Sequence, residues 1–272
     1  MRRRLLARVG VLTATAVASV GLFTIDAQAA TTVGSGTPAS CTEAAFTAAL
    51  AAGGTVTFNC GGAATIPITS YKILTQDTTI DGGGNITLDG GGISRIFVVN
   101  GSPTLTLSNI TLNGATATAP GSANAGSGAA IYGSGGTYNL TNVTIQNGRT
   151  NPLFCGGAIA TGSTAHINVI DSTFRSNSSG WGGAICTTGF VYSKNSHYLL
   201  NHAVASDGTG GAIIVENGAD LDLDGGEVSG NSAFQGGGIM VWGNSVARVH
   251  STSGTPVSFA ANQVADSGGA LF

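Results

Sequence analysis

Apolar residues alternate with polar ones in short runs along this chain, as at Leu105 and Leu107, Ile167 and Val169, and Leu221 and Leu223. Alternation of period two, bounded by glycine or asparagine, predicts half-buried β-strands. Strands are expected at 55–59, 66–68, 78–80, 86–88 and 96–99, with glycine clusters at 82–84 and 90–92 turning the chain between them. One stretch breaks the pattern. In residues 41–52, Phe46 and Leu50 lie four apart and Gly53-Gly54 follows, which predicts a single short amphipathic helix that covers the end of the strand stack. Residues 31–40 read as an extended small-residue linker.

Two phrases recur in step. The first is Gly156-Gly157-Ala158-Ile159, repeated from Gly182, Gly210, Gly236 and Gly268 and begun by a degenerate copy at Gly128, at spacings of 28, 26, 28, 26 and 32 residues. The second is an apolar or β-branched residue three before an asparagine, at Asn113, Asn147, Asn177, Asn201, Asn231 and Asn262. Glycine pairs allow positive φ and close backbone approach, and asparagine is tolerated in the left-handed region. A unit of about 27 residues, with strands and turns but no helix, is too short for a helical crossover. It fits one coil of a single-stranded right-handed parallel β-helix spanning residues 55–272, an all-β solenoid of about eight coils and roughly 35–40 Å. The asparagine column is expected to be a turn ladder of hydrogen bonds. Asp81 and Asp89, beside early glycine turns, read as turn residues.

These paired phrases resemble the Gly-Gly-Ala-Ile and Phe-x-x-Asn repeats of the polymorphic outer membrane protein family, within the wider group of pectate-lyase-like right-handed β-helix proteins. The resemblance covers roughly residues 100–272, and the run 77–92 is similar to the early coils of pectate-lyase-type helices. It implies a secreted or surface-exposed protein, often one linked to adhesion.

The start of the chain points the same way. Arg2, Arg3, Arg4 and Arg8 precede an apolar stretch at 9–23, and Ala27-Gln28-Ala29 has the form of a cleavage signal, so residues 1–29 are expected to be an export leader. Cleavage there leaves six Lys and Arg against twelve Asp and Glu, a formal net charge of −6. That acidity argues against nucleic-acid partners. No later segment reads as a membrane span, and residues 115–127 read as a Ser-, Ala- and Gly-rich loop leaving the coil. Four cysteines in an exported chain imply two disulfides, expected as Cys41 with Cys60 and Cys155 with Cys186. The chain stops on the opening phrase of a coil, so the last coil is expected to dock a partner or a further C-terminal region.

Candidate chemistry follows from stacking. Aligning coils on the Ile that closes each glycine phrase puts His166, Tyr192, Asp220 and Val246 in one column and Asn168, Lys194, Asp222 and Arg248 in the next. Ile170, Ser196, Asp224 and His250 form a third. Leu221 and Leu223 alternate with Asp220, Asp222 and Asp224, which therefore face outward. Polysaccharide lyases of this fold are similar in carrying carboxylates, often with Ca²⁺, and a base on such a face. On that resemblance Asp220, Asp222 and Asp224 would hold Ca²⁺, Asp222, Lys194 and Arg248 would be catalytic, and His166 and Tyr192 would line the substrate. Trp181 and Trp242 adjoin glycine turns and suit sugar stacking. The longer lyase and polygalacturonase signatures are absent, so the expected function is a non-catalytic adhesion or glycan-contacting module. A lyase or glycosidase acting on acidic polysaccharide is the alternative. A glycan or cell-surface protein is the expected partner, with no cofactor beyond Ca²⁺.

Overall fold

The computed structural model describes residues 30–117, 126–252 and 254–272. The expected leader at 1–29 and most of the expected loop at 115–127 lie outside the described residues. The described chain is a right-handed parallel β-solenoid of about eight turns with one short helix near its N-terminus. Every strand pairing in it is parallel.

Each coil turns through three faces. The first carries the strand that follows the glycine phrase, as in Ile185–Thr187, Ile213–Val215 and Ile239–Val241. The second and third are often one bent strand, as in Phe190–Leu199 and Asp220–Ser229. A short fourth segment after the asparagine turn builds its own sheet from Ser178–Ser179, His202–Ala203, Ser232–Gln235 and Gln263–Ser267.

The interior is a set of stacked apolar columns. Phe97, Ile131, Ile159, Ile185, Ile213 and Ile239 pair in register across six coils, and all are fully buried. Another column runs Leu112, Ile145, Phe174, Tyr198 and Val228, with the Phe174 and Tyr198 rings stacked at 5.1 Å.

The two glycines of the phrase have different tasks. The first, at Gly156, Gly182, Gly210 and Gly236, holds φ between 59 and 71°. The second has ordinary φ but no room. A Cβ on Gly183 would lie 2.1 Å from the carbonyl oxygen of Gly211 in the next coil, and one on Gly211 would lie 2.0 Å from that of Gly237.

The asparagines also differ from expectation. In the later coils the left-handed residue is the one before the asparagine, Ser176 (φ 54°), Leu200 (55°) and Gly230 (64°), whereas Asn147 (57°) is itself left-handed. Asn177, Asn201 and Asn231 are fully buried, and each donates its Nδ2 to the Oδ1 of the next, at 3.0 Å twice and then 2.9 Å to Asn262. Asn147 and Asn113 do not belong to this column. Asn147 aligns with Ser176, and Asn113 pairs with Gln146, because the early coils spend different numbers of residues at their corners. Asp81 and Asp89 are turn residues, each accepting from a glycine N–H two positions on at 3.0 Å.

The N-terminal end is closed as the pattern predicts, with an added tie. The helix Glu43–Ala52 starts at Thr42, whose hydroxyl accepts from Ala45 N, and buries Phe46 against Phe58 and Phe97. The expected linker is more ordered than its composition suggests: Thr31–Val33 pairs in parallel with Val56 to Phe58, and Pro38–Ser40 forms a 3₁₀ turn. Lys72 occupies an interior column position beside Phe97, and its ammonium meets Glu43 Oε1 at 2.6 Å. Burial opposes ionisation of Glu43, but Lys72, Thr69 and the Ser70 N–H outweigh it and hold the carboxyl down at about 2. Cys41 bonds to Cys60 and Cys155 to Cys186, the expected pairs.

Three outcomes test this account. Gly183→Ala should lower unfolding free energy by about 1–3 kcal/mol in urea, because the neighbouring carbonyl cannot recede without breaking coil pairing. Asn201→Ala should cost about 3 kcal/mol, since it strips partners from the Asn177 N–H, the Phe174 carbonyl and Asn231 at once. Glu43 gains its stabilising contacts as the anion, so that contribution is full above its ordinary value of 4.5 and is lost as pH falls toward 2. Glu43→Gln should therefore cost about 1–2 kcal/mol at pH 7, allowing for solvent screening, and flatten the acid limb of a stability-versus-pH curve.

Candidate functional site

The predicted site residues separate onto two faces. His166, Tyr192, Lys194, Asp220, Asp222, Asp224 and Arg248 lie on the second face, and Trp181 and Trp242 flank the first.

On the second face the register differs from the expected columns. Phe190, not Tyr192, stacks on His166, their rings 5.8 Å apart, and Phe190 pairs with Asp220. Tyr192 pairs with Asp222, and Lys194 with Asp224. Asp222 does pair with Arg248 as expected, and Asp224 with His250. The two-residue displacement comes from one tight corner. Gly189 N donates to Thr187 Oγ1 at 2.9 Å, and Gly189 sits where a Cβ would be 2.4 Å from the Ala165 carbonyl, so this coil reaches its second face two residues early. A shift of two preserves inward and outward alternation, which is why the outward residues remain outward.

The three aspartates there are each engaged by the next coil. Arg248 reaches diagonally to Asp220 at 3.5 Å, and His250 Nε2 meets Asp222 Oδ1 at 2.5 Å. Asp224 is buried and accepts from Thr252 N at 2.6 Å and from the Thr252 hydroxyl, which hold its carboxyl below the usual range, with His250 and Lys194 adding to the effect. Burial raises the Tyr192 hydroxyl, and the Asp224 and Asp222 charges raise it further. The three aspartates sit at alternate positions of one strand, about 6.8 Å apart, and each turns to a different partner. Among the described residues no three His, Cys, Asp or Glu side chains converge on a point that could hold a metal ion.

The first face carries a groove that the alternation rule did not reveal. The residue after each interior Ile points outward, and it is apolar in coil after coil: Ala160, Cys186, Ile214 and Met240 stack in register. Cys186, Ile214 and Met240 form a small apolar cluster of their own, outside the main core, with Cys155 and Trp181 packed on it. Cys186 and Ile214 of this cluster floor a cavity of about 480 Å³, within the range of ligand sites.

Its walls come from the flanking corners. One wall is the column in which Cys155 bridges Trp181 and Thr209 bridges Gln235, with Leu153 and Phe154 beside it. Trp242 stands on the other wall one coil beyond Glu216, since Trp242 N donates to the Val215 carbonyl and Asn217 N to that of Trp242. Trp181 is partly buried and Trp242 is 55 % exposed. The Cys155–Cys186 disulfide ties the first wall to the floor. Asp207 and Glu216 supply charge to the lining, and burial pushes the Glu216 carboxyl up. The signal that would have found the floor is a pair of adjacent apolar residues, Ile185-Cys186, Ile213-Ile214 and Ile239-Met240, which marks a strand covered on both faces.

Among the described residues no helix is long and apolar enough to cross a membrane. Compared with models of known families, with curated proteins and with solved structures, the chain has no match.

The register on the second face is open to a direct test. In-register neighbours on adjacent coils stand about 4.8 Å apart, within disulfide reach, whereas a two-residue diagonal is about 8 Å. The double variant Lys194→Cys with Asp224→Cys should therefore cross-link on mild oxidation, and Lys194→Cys with Asp222→Cys should not, as read by thiol titration and peptide mapping.

Proposed function

We propose that this protein is an exported, non-catalytic recognition rod that contacts a glycan through the groove on its first face. The observation that carries the proposal is the placement of Trp181 and Trp242 on opposite walls of a channel floored by the apolar side chains of Cys186 and Ile214. Aromatic faces beside such a channel suit the C–H faces of a sugar ring, and Asp207, Thr209, Glu216 and Gln235 supply polar partners for hydroxyls. The basic and apolar leader, the two disulfides and the resemblance of the repeated phrases to polymorphic outer membrane protein repeats support export and a role at a cell surface.

The alternative reading is depolymerisation of an acidic polysaccharide on the second face. It rests on the grouping of Tyr192, Lys194, Asp222, Asp224, Arg248 and His250. The ion pairs among these groups weigh against it, because a lyase base and a cation site both need groups not already engaged with each other.

Binding of the purified chain to an immobilised glycan panel tests the first proposal. Capture of at least one glycan class is expected, weakened at least tenfold by Trp181→Ala or Trp242→Ala and unchanged by Asp222→Ala. Incubation with polygalacturonate and alginate, with and without Ca²⁺, should yield no unsaturated products or new reducing ends. Turnover abolished by Asp222→Ala would replace the recognition rod with the enzyme.

A further inference from the structure

The groove also constrains the chemistry of what it takes. Its charged lining consists of Asp207 and Glu216; no Lys, Arg or His lines it among the described residues. Trp181 and Trp242 add the electron-rich faces that attract cations, and the floor at Cys186 and Ile214 is apolar. Such a channel repels a polyanion and favours an occupant that joins a flat apolar ring to a positive charge.

We infer that the groove selects glycans bearing free amino groups, polymers of 2-amino-2-deoxyhexose, over their neutral N-acetylated counterparts and over uronates. This rests on the glycan-contacting function proposed above and names the substrate class of the same site. Each ring would lay its C–H face on a tryptophan while its ammonium meets a carboxylate.

Two features make Glu216 the principal anion of the pair. It is half-buried in the lining, and its carboxylate has no hydrogen bond or ion pair with a described residue, so its solvation is poor without a ligand. Burial already pushes its carboxyl up, and an incoming ammonium would relieve that cost. It also sits one coil from Trp242 on the same wall, where the stacking position and the charge are neighbours. The tryptophans stand two coils apart, a separation of about 10 Å along the rod. That spacing favours an extended chain of several rings over a single sugar.

The test is calorimetric titration of the full chain with three probes: β-linked glucosamine hexamer, its fully N-acetylated form, and a galacturonate hexamer. The glucosamine hexamer is expected to bind at least tenfold more tightly than the acetylated one, with no detectable binding of the galacturonate. Glu216→Gln should abolish the preference while leaving residual binding to both neutral and amino forms, and Trp242→Ala, at an exposed position, should weaken both alike. Equal or tighter binding of the acetylated hexamer, or a preference that survives Glu216→Gln, would overturn the inference while leaving the glycan proposal standing. Failure of all glycans would remove both. Tight binding of tetralysine with none of the glucosamine hexamer would also overturn it and assign the groove to a cationic protein segment.

Discussion

The spacing of one backbone turn against the next governs this molecule. Parallel pairing holds successive coils about 4.8 Å apart, and at Gly157, Gly183, Gly211 and Gly237 that distance brings a carbonyl oxygen to within 2.0–2.5 Å of where a Cβ would stand. Only hydrogen fits. The coil corner can then close tightly enough to return the chain to the same interior columns, so the Ile ladder stays continuous from Phe97 to Ile239. Core, disulfides and groove walls all inherit their positions from this close approach.

The groove follows from the same packing by a different route. Interior columns need one apolar residue per strand on the first face, yet the chain supplies two in succession at 185–186, 213–214 and 239–240. The second member points away from the main core, where Cys155 and Trp181 pack on it and leave Cys186 and Ile214 at the base of the groove. The second face is chemically the opposite: it is rich in charge, but Arg248, His250 and Thr252 from one coil satisfy Asp220, Asp222 and Asp224 from its neighbour. A channel with an apolar floor and a carboxylate unpaired among the described residues is better placed to receive a ligand than a face whose carboxylates are already engaged.

Much of the fold was legible because its signals are local. Glycine spacing, period-two alternation and the helix ending at Gly53 depend on a few neighbouring residues, and so do the cysteine positions. The column alignment was less legible because it sums over corner lengths, and corners vary: the tight turn at 187–189 moved Tyr192 and Lys194 by two positions, while parity kept them outward. The early asparagines failed for the same reason, Asn147 by one residue and Asn113 by two. Trp181 and Trp242 stood out in the sequence beside their glycine turns. Their shared channel did not, since it depends on which corners from different coils face each other across the strand.

The buried asparagines carry a consequence for how the rod comes apart. Asn201 gives one Nδ2 hydrogen to the Phe174 carbonyl behind it and the other to Asn231 ahead, while its Oδ1 receives from Asn177. One carboxamide thus ties its coil to both neighbours, so each adjacent-repeat interface carries a buried side-chain bond besides its backbone pairing. Loss of one turn from the C-terminal side then strips a buried partner from the asparagine of the turn before it. Melting should advance in blocks, and hydrogen exchange in the middle coils should report a shared opening event.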